Sequence, residues 1–207
     1  MERPMKYFLC LVLAIILAGC SGRETRKVYY DDGQLKGVFQ FKGSKKEGAQ
    51  KLFYENEKIK EEANYKDGLL DGTQKTFDEN GKIISEGNYK AGKMDGLQKG
   101  PWDFPRGSTL EKNYKAGKLD GICRIFDESG KLQMELNYKD DVEQMTKTYY
   151  KNGKLKMEGH YKDGRPEGII KFYSEDGSLK EEQNWQEGKR VDFGESSEAP
   201  GPMGGQK

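Results

Sequence analysis

Between residues 28 and 193 apolar and polar residues alternate in short runs broken by turn-forming pairs. In one such run Leu132, Met134, Leu136 and Tyr138 fall on one side, and Gln133, Glu135 and Asn137 on the other. Leu155, Met157, Gly159 and Tyr161 repeat the pattern, as do Ile59, Ala63 and Tyr65 with Glu61 interposed. Alternation of period two with dense turns predicts β-hairpins rather than helices.

The hairpins recur on a fixed period. A ring side chain stands at Phe41, Tyr65, Tyr89, Tyr114, Tyr138, Tyr161 and Trp185, at spacings of 24, 24, 25, 24, 23 and 24 residues. Eight residues before most of these rings lies a turn pair ending in glycine, such as Asp32-Gly33, Asn80-Gly81, Ser129-Gly130, Asn152-Gly153 or Asp176-Gly177. A glycine follows most rings at three residues (Gly68, Gly92, Gly117, Gly164, Gly188) and again at seven (Gly48, Gly72, Gly96, Gly121, Gly168). Asn-Gly and Asp-Gly supply the positive φ that two-residue hairpin turns demand. The fold predicted is all-β: an elongated single-layer antiparallel meander of repeated β-hairpins, seven units over residues 28–193. About fourteen strands at roughly 4.8 Å each give a sheet of about 65 Å, held by neighbour-to-neighbour contacts. The seven rings line up on one face as a structural ladder.

Two units depart from the pattern. The fourth contains Pro101-Trp102-Asp103-Phe104-Pro105-Arg106-Gly107, whose prolines cannot donate to a sheet, so an edge, bulge or protruding loop is expected. Trp102 and Phe104 are candidate binding residues there, with sealing of the sheet as the equal alternative. The fifth, Lys139-Asp140-Asp141-Val142-Glu143-Gln144-Met145, lacks both glycines. Residues 194–207 carry no periodic pattern and are expected to be a disordered tail.

The amino terminus is an address. Arg3 and Lys6 precede an apolar run from Tyr7 to Ala18, too short to span a bilayer but suited to a signal-peptide helix over 1–19. Leu17-Ala18-Gly19-Cys20 resembles the lipobox of bacterial lipoproteins, which implies cleavage before Cys20, acylation of its sulfur and a lipidated tether over 20–27. Two or more acyl chains anchor stably where one does not. Ser21 after the lipidated Cys implies, by the same resemblance, the outer membrane if the source has two membranes. With Cys10 removed and Cys20 blocked, Cys123 stands alone, as a buried small hydrophobe in a strand.

Composition narrows the chemistry. The 36 Lys and Arg balance 35 Asp and Glu, so the basic excess of a nucleic-acid footprint is absent. His160 is the sole histidine, and it precedes Tyr161 where other units have Asn, which places it facing solvent. Glu61-Glu62 and Glu181-Glu182 are adjacent on strands and point to opposite faces, against a catalytic pair. Asp31-Asp32-Gly33 and Glu175-Asp176-Gly177 lack calcium-loop spacing. No catalytic residue, metal or cofactor is expected.

Asn64-Tyr65-Lys66-Asp67-Gly68-Leu69-Leu70-Asp71-Gly72 resembles the MORN-repeat variant of bacterial envelope and secreted proteins, and the units from Asn88 to Gly96 and from Asn113 to Gly121 match it best. The resemblance covers about residues 29–193 and implies single-layer hairpin arrays. It also implies a binding platform for protein or phospholipid, and some bacterial members are labelled antitoxin components. The expectation is a non-catalytic, lipid-anchored scaffold of the bacterial cell envelope, bound to the membrane by its lipid and to another protein by its sheet. Cell-wall glycan binding and neutralisation of a toxin are the alternatives.

Overall fold

A computed structural model describes residues 22–102 and 107–192, with Trp102 described by its backbone. The signal peptide expected over 1–19, Cys20, Phe104 and the tail expected over 194–207 lie outside the described residues. Every regular element described is a strand. The first eight are β1 (Arg23–Tyr29), β2 (Leu35–Lys42), β3 (Lys45–Phe53), β4 (Ile59–Lys66), β5 (Leu69–Phe77), β6 (Ile83–Lys90), β7 (Lys93–Trp102) and β8 (Ser108–Lys115). They are followed by β9 (Lys118–Leu119), β10 (Gly121–Phe126), β11 (Leu132–Lys139) and β12 (Val142–Tyr149). The array ends with β13 (Leu155–Lys162), β14 (Arg165–Tyr173), β15 (Leu179–Gln186) and β16 (Lys189–Val191).

All 16 strands form one antiparallel sheet in chain order, with β9 pairing β8 beside β10. β9 and β10 are one strand interrupted at Asp120, whose N–H donates to the Asn113 carbonyl at 3.0 Å. The count exceeds the fourteen strands expected because β1 is added at the amino end and one strand is divided into β9 and β10. Arg23 to Lys27, read from sequence as tether, pair in β1 with Val38 to Lys42 of β2. Pro101 is likewise a strand residue, opposite Thr109, and the backbone of Trp102 pairs with Ser108.

The two sets of turns differ, and only one of them has the two-residue geometry expected of Asn-Gly and Asp-Gly. At Asp67-Gly68, Ala91-Gly92, Ala116-Gly117, Asp163-Gly164 and Glu187-Gly188 both residues have positive φ, as a two-residue type I′ turn requires. At Asp32-Gly33, Asn80-Gly81, Ser129-Gly130, Asn152-Gly153 and Asp176-Gly177 only the glycine does. There Gly33 donates to the Tyr30 carbonyl at 3.0 Å and Tyr30 to that of Gln34 at 2.8 Å, and the register slips between Val28 and Tyr29. That is a three-residue turn closed by a bulge. The glycine-poor fifth unit keeps its turn: Asp140 and Asp141 adopt φ 50° and 70° themselves.

Directly opposed residues of antiparallel strands share a face, so the register assigns the two surfaces. On the ring face Tyr65, Tyr89, Tyr114, Tyr138 and Trp185 each lie opposite a glycine on one side: Gly48, Gly72, Gly96, Gly121 and Gly168. On the other side Tyr65, Tyr89 and Tyr114 face Leu70, Met94 and Leu119. The ladder is thus interleaved: rings occupy every second strand, roughly 9.6 Å apart, with an aliphatic side chain or a glycine between. Beside them runs a central row, Gln50–Ala63–Gln74–Gly87–Gln98–Lys112 and then Cys123–Leu136–Thr146–Gly159. Only Ala63, Cys123 and Ile170 are buried apolar residues among those described, so the core is a shallow strip.

Candidate functional site

The opposite face carries the most regular chemistry in the molecule. Lys51, Glu62, Lys75, Glu86, Lys99 and Glu111 are successive register partners across the sheet. Arg124, Glu135, Lys147, Glu158, Lys171 and Glu182 continue the same row to β15. β3, β5 and β7 give the cation, as do β10, β12 and β14 after the β9 interruption, and the strand that follows each gives the anion. Within hairpins the Lys51–Glu62, Lys75–Glu86, Lys99–Glu111 and Arg124–Glu135 pairs close to 2.7, 3.3, 2.9 and 2.8 Å. Lys147–Glu158 and Lys171–Glu182 are looser, at 3.7 and 3.6 Å. Each such pair adds on the order of 0.2–1 kcal/mol to the sheet.

Two tyrosines reinforce the row. The Tyr149 hydroxyl donates to Glu135 at 2.7 Å and that of Tyr173 to Glu158 at 2.8 Å. The Tyr149 bond, with Arg124 beside it, holds the Glu135 carboxyl below the usual range. Burial and that same bond push the Tyr149 phenol up to about 12.

Flanking the ion-pair row on this face is a second one in which Leu97, Ile122 and Ile169 oppose Asn113, Asn137 and Asn184. These three aliphatic side chains are 41, 39 and 44 % exposed. The asparagines of this row help to hold the strands together. Asn64, Asn88 and Asn113 donate through Nδ2 to the carbonyls of Thr73, Leu97 and Ile122 at 3.4, 3.1 and 2.6 Å. His160 takes an equivalent place opposite Met145 and is exposed, as its sequence position implied.

Neighbouring units are tied at both edges of the sheet. The Gly68, Gly92 and Gly117 amides donate to the carbonyls of Lys46, Leu70 and Met94 one unit earlier, at 2.9, 2.7 and 2.8 Å. Carboxylates brace the same turns: Glu47 accepts from the Asp67 amide, Asp71 from Ala91 and Asp95 from Ala116, at 2.9, 3.1 and 3.1 Å. At the other edge the hydroxyls of Tyr30, Tyr54 and Tyr150 donate to the carbonyls of Phe53, Phe77 and Tyr173, each 23 residues later.

Beside Trp102 the ring face opens into a groove of about 280 Å³. Ser85, Gly87, Gly100, Tyr89, Tyr114 and Gln98 are among its lining residues, and the Gln98 side chain lies over Gly87, which is buried. Of the predicted site residues, only the seven rings are brought onto one face. Cys123 is buried in β10 at 3 % exposure, and burial raises its thiol above the ordinary range. Glu61 and Glu62 part to opposite faces, Glu61 accepting from Gln74 at 2.7 Å while Glu62 pairs with Lys51. Among the described residues no group of three or more His, Cys, Asp or Glu is placed to hold a metal ion.

Sequence reasoning missed the ion-pair row and the turn braces. The row had a signal: a glutamate three residues before each ring from Tyr65 to Trp185, and a cation three residues after each of Gly48, Gly72, Gly96, Gly121 and Gly168. No curated protein matches the chain. The profile described as MORN repeat variant matches residues 25–42, 46–67, 70–91, 119–140, 146–163 and 166–187. Its gap falls on the unit with Pro101, which the sheet nonetheless includes as β7 and β8. With more than half of its length so matched, the chain belongs to the MORN repeat variant family.

Proposed function

We propose that the protein is a lipid-anchored scaffold of the bacterial cell envelope, which holds another protein against the ion-pair face of its sheet. Repeats of this family are commonly protein- or membrane-interaction modules and are generally non-catalytic. The observation that carries the reading is the row of Leu97, Ile122 and Ile169, exposed in three of the units beside an ion-pair row, with Met145 half-buried in the unit between the last two. Aliphatic side chains standing free in a line, rimmed by charge, are the anatomy of a recognition surface. Acylation of Cys20 supplies the anchor, and Ser21 favours the outer membrane where the source has two. Cross-linking in intact cells, with mass spectrometry of the adducts, tests the scaffold. One protein partner lost on changing Leu97, Ile122 and Ile169 together to Ser supports it, and adducts unchanged by that variant refute it. Palmitate labelling that survives Cys20→Ala refutes the anchor.

The groove between Tyr89 and Tyr114 supports a second reading, binding of cell-wall glycan, because rings and a side-chain amide line an open trough. Saturable binding to purified peptidoglycan that is abolished by Trp102→Ala favours it over the scaffold.

A further inference from the structure

The ring row reads almost the same from either end. Met94 of β7 stands at its centre, 37 % exposed, at the groove that Tyr89 and Tyr114 line on either side. Outward from those two rings come Leu70 and Leu119, and then Tyr65 and Tyr138. One strand beyond, the ends differ in sign: Lys46 lies on β3 and Glu143 on β12. Neither makes an ion pair among the described residues. The Lys46 ammonium lies 4.7 Å from the centre of the Tyr65 ring, and Glu143 accepts from the Thr146 hydroxyl. They stand eight strand spacings apart, roughly 38 Å, too far to meet within one molecule.

We infer that a second copy of this chain packs ring face to ring face with the first, about a two-fold axis that runs along β7 at Met94. That rotation keeps the row in place and exchanges its halves. Tyr89 then faces the copy's Tyr114, Leu70 its Leu119, Tyr65 its Tyr138 and Lys46 its Glu143. Each contact occurs twice, as a two-fold interface requires. The two Met94 side chains meet in the groove, whose shape a flexible thioether can fill. Charge fixes the place of the axis. Moved one strand on, to Tyr114 of β8, it would set Lys46 against Pro166 and Glu143 against Leu70, leaving both charges unpaired. Two twisted sheets pack face to face about 10 Å apart with their inner side chains interdigitated. Nine strands about 25 Å long give each copy on the order of 1,000 Å², above the roughly 800 Å² per partner of a stable complex. The chain outside the described residues is ill suited to cover this face, being four residues at 103–106, a polar stretch at 194–207 and the signal peptide expected to be removed. The dimer closes the groove and leaves the ion-pair face of each copy outward, so it presents the row of Leu97, Ile122 and Ile169 twice.

Sedimentation equilibrium on the full chain in density-matched detergent tests the inference. The expected mass rises with concentration to that of a dimer and stops there. Lys46→Glu and Glu143→Lys each weaken the dimer about tenfold, since two attractive pairs become two repulsive ones. Both changes in one chain restore it, because the pairs re-form with their signs exchanged. Met94→Asp, which would set two carboxylates against each other on the axis, abolishes it. Should Met94→Asp lose the sheet by circular dichroism, the charge variants at the ends of the row decide. A chain that stays monomeric, one that grows past a dimer, or a dimer indifferent to the single reversals overturns the inference. So does a double variant that dimerises no more tightly than the singles.

Discussion

At Glu57 a side chain occupies a backbone conformation that suits glycine. Its φ is 63°, at the turn position where the other units place Gly33, Gly81, Gly130, Gly153 and Gly177. The left-handed region costs an L-residue roughly 1–2 kcal/mol, of which glycine's greater freedom in the unfolded chain returns about 0.5–1. Glu57→Gly is therefore expected to stabilise the protein by about 0.5–1 kcal/mol, read as a higher urea midpoint at unchanged slope. Tyr149 makes a different residue-scale prediction. Its bond to Glu135 favours the ionised carboxylate and the neutral phenol together. The contribution is complete above the ordinary glutamate range and fades as pH falls through the lowered native value. It is again lost as pH rises from about 10 toward the native phenol value of about 12. Tyr149→Phe should cost about 1 kcal/mol at pH 7, and the difference from wild type should shrink as pH falls through the lowered Glu135 range. Urea midpoints at several pH values measure this.

A single hairpin of this protein has little of its own to hold it. Two strands with one half-buried ring are marginal in water, and the ties at the two edges are what convert hairpins into an array. Asp95 shows how a turn is fastened: its carboxylate receives the Ala116 amide while the Met94 carbonyl receives that of Gly117. Asp95→Ala should cost about 0.5–1 kcal/mol, concentrated in the turn at 116–117. Hydrogen exchange at those two amides is expected to quicken several-fold while the Cys123 amide is unaffected. The legibility of the elements follows the same division. Strands and turns could be read because alternation and glycine spacing are local: Leu132 to Tyr138 shows its period within seven residues. The Asp95 brace could not, because it joins residues 21 apart, and nothing in the sequence near Asp95 says which amide it will meet. The type of the turn is not legible from the pair alone: Asp-Gly makes the two-residue turn at Asp67-Gly68 and the bulged one at Asp32-Gly33.

The molecule as a whole behaves as a row of similar links. Stability in such a row is a sum of unit terms and boundary terms, so its length should be adjustable. Excision of Leu69 through Gly92 joins Gly68 to Lys93 in a shared register and removes one ring, one Lys–Glu pair and one set of edge ties. The shortened chain is expected to fold, with its urea slope reduced by about one seventh as the surface exposed on unfolding falls. Failure of the excised chain to give a β-sheet circular dichroism spectrum would show that the units are not interchangeable. The whole-molecule architecture was the most legible level, since seven rings in step admit few alternatives. The candidate site was the least legible. The ion-pair row exists only once twelve residues from twelve strands are set side by side, whereas Glu61-Glu62 in isolation reads as an ordinary solvated pair.

The division of labour between the faces has a consequence for how such a protein changes over time. Folding draws on the rings, the glycines beneath them and the backbone ties at the turns, while the side chains of Leu97, Ile122 and Ile169 are about two-fifths exposed and take part in none of those ties. Those three positions are free to be rewritten without disturbing their support, so a lineage could exchange one client for another while the framework passes down unaltered.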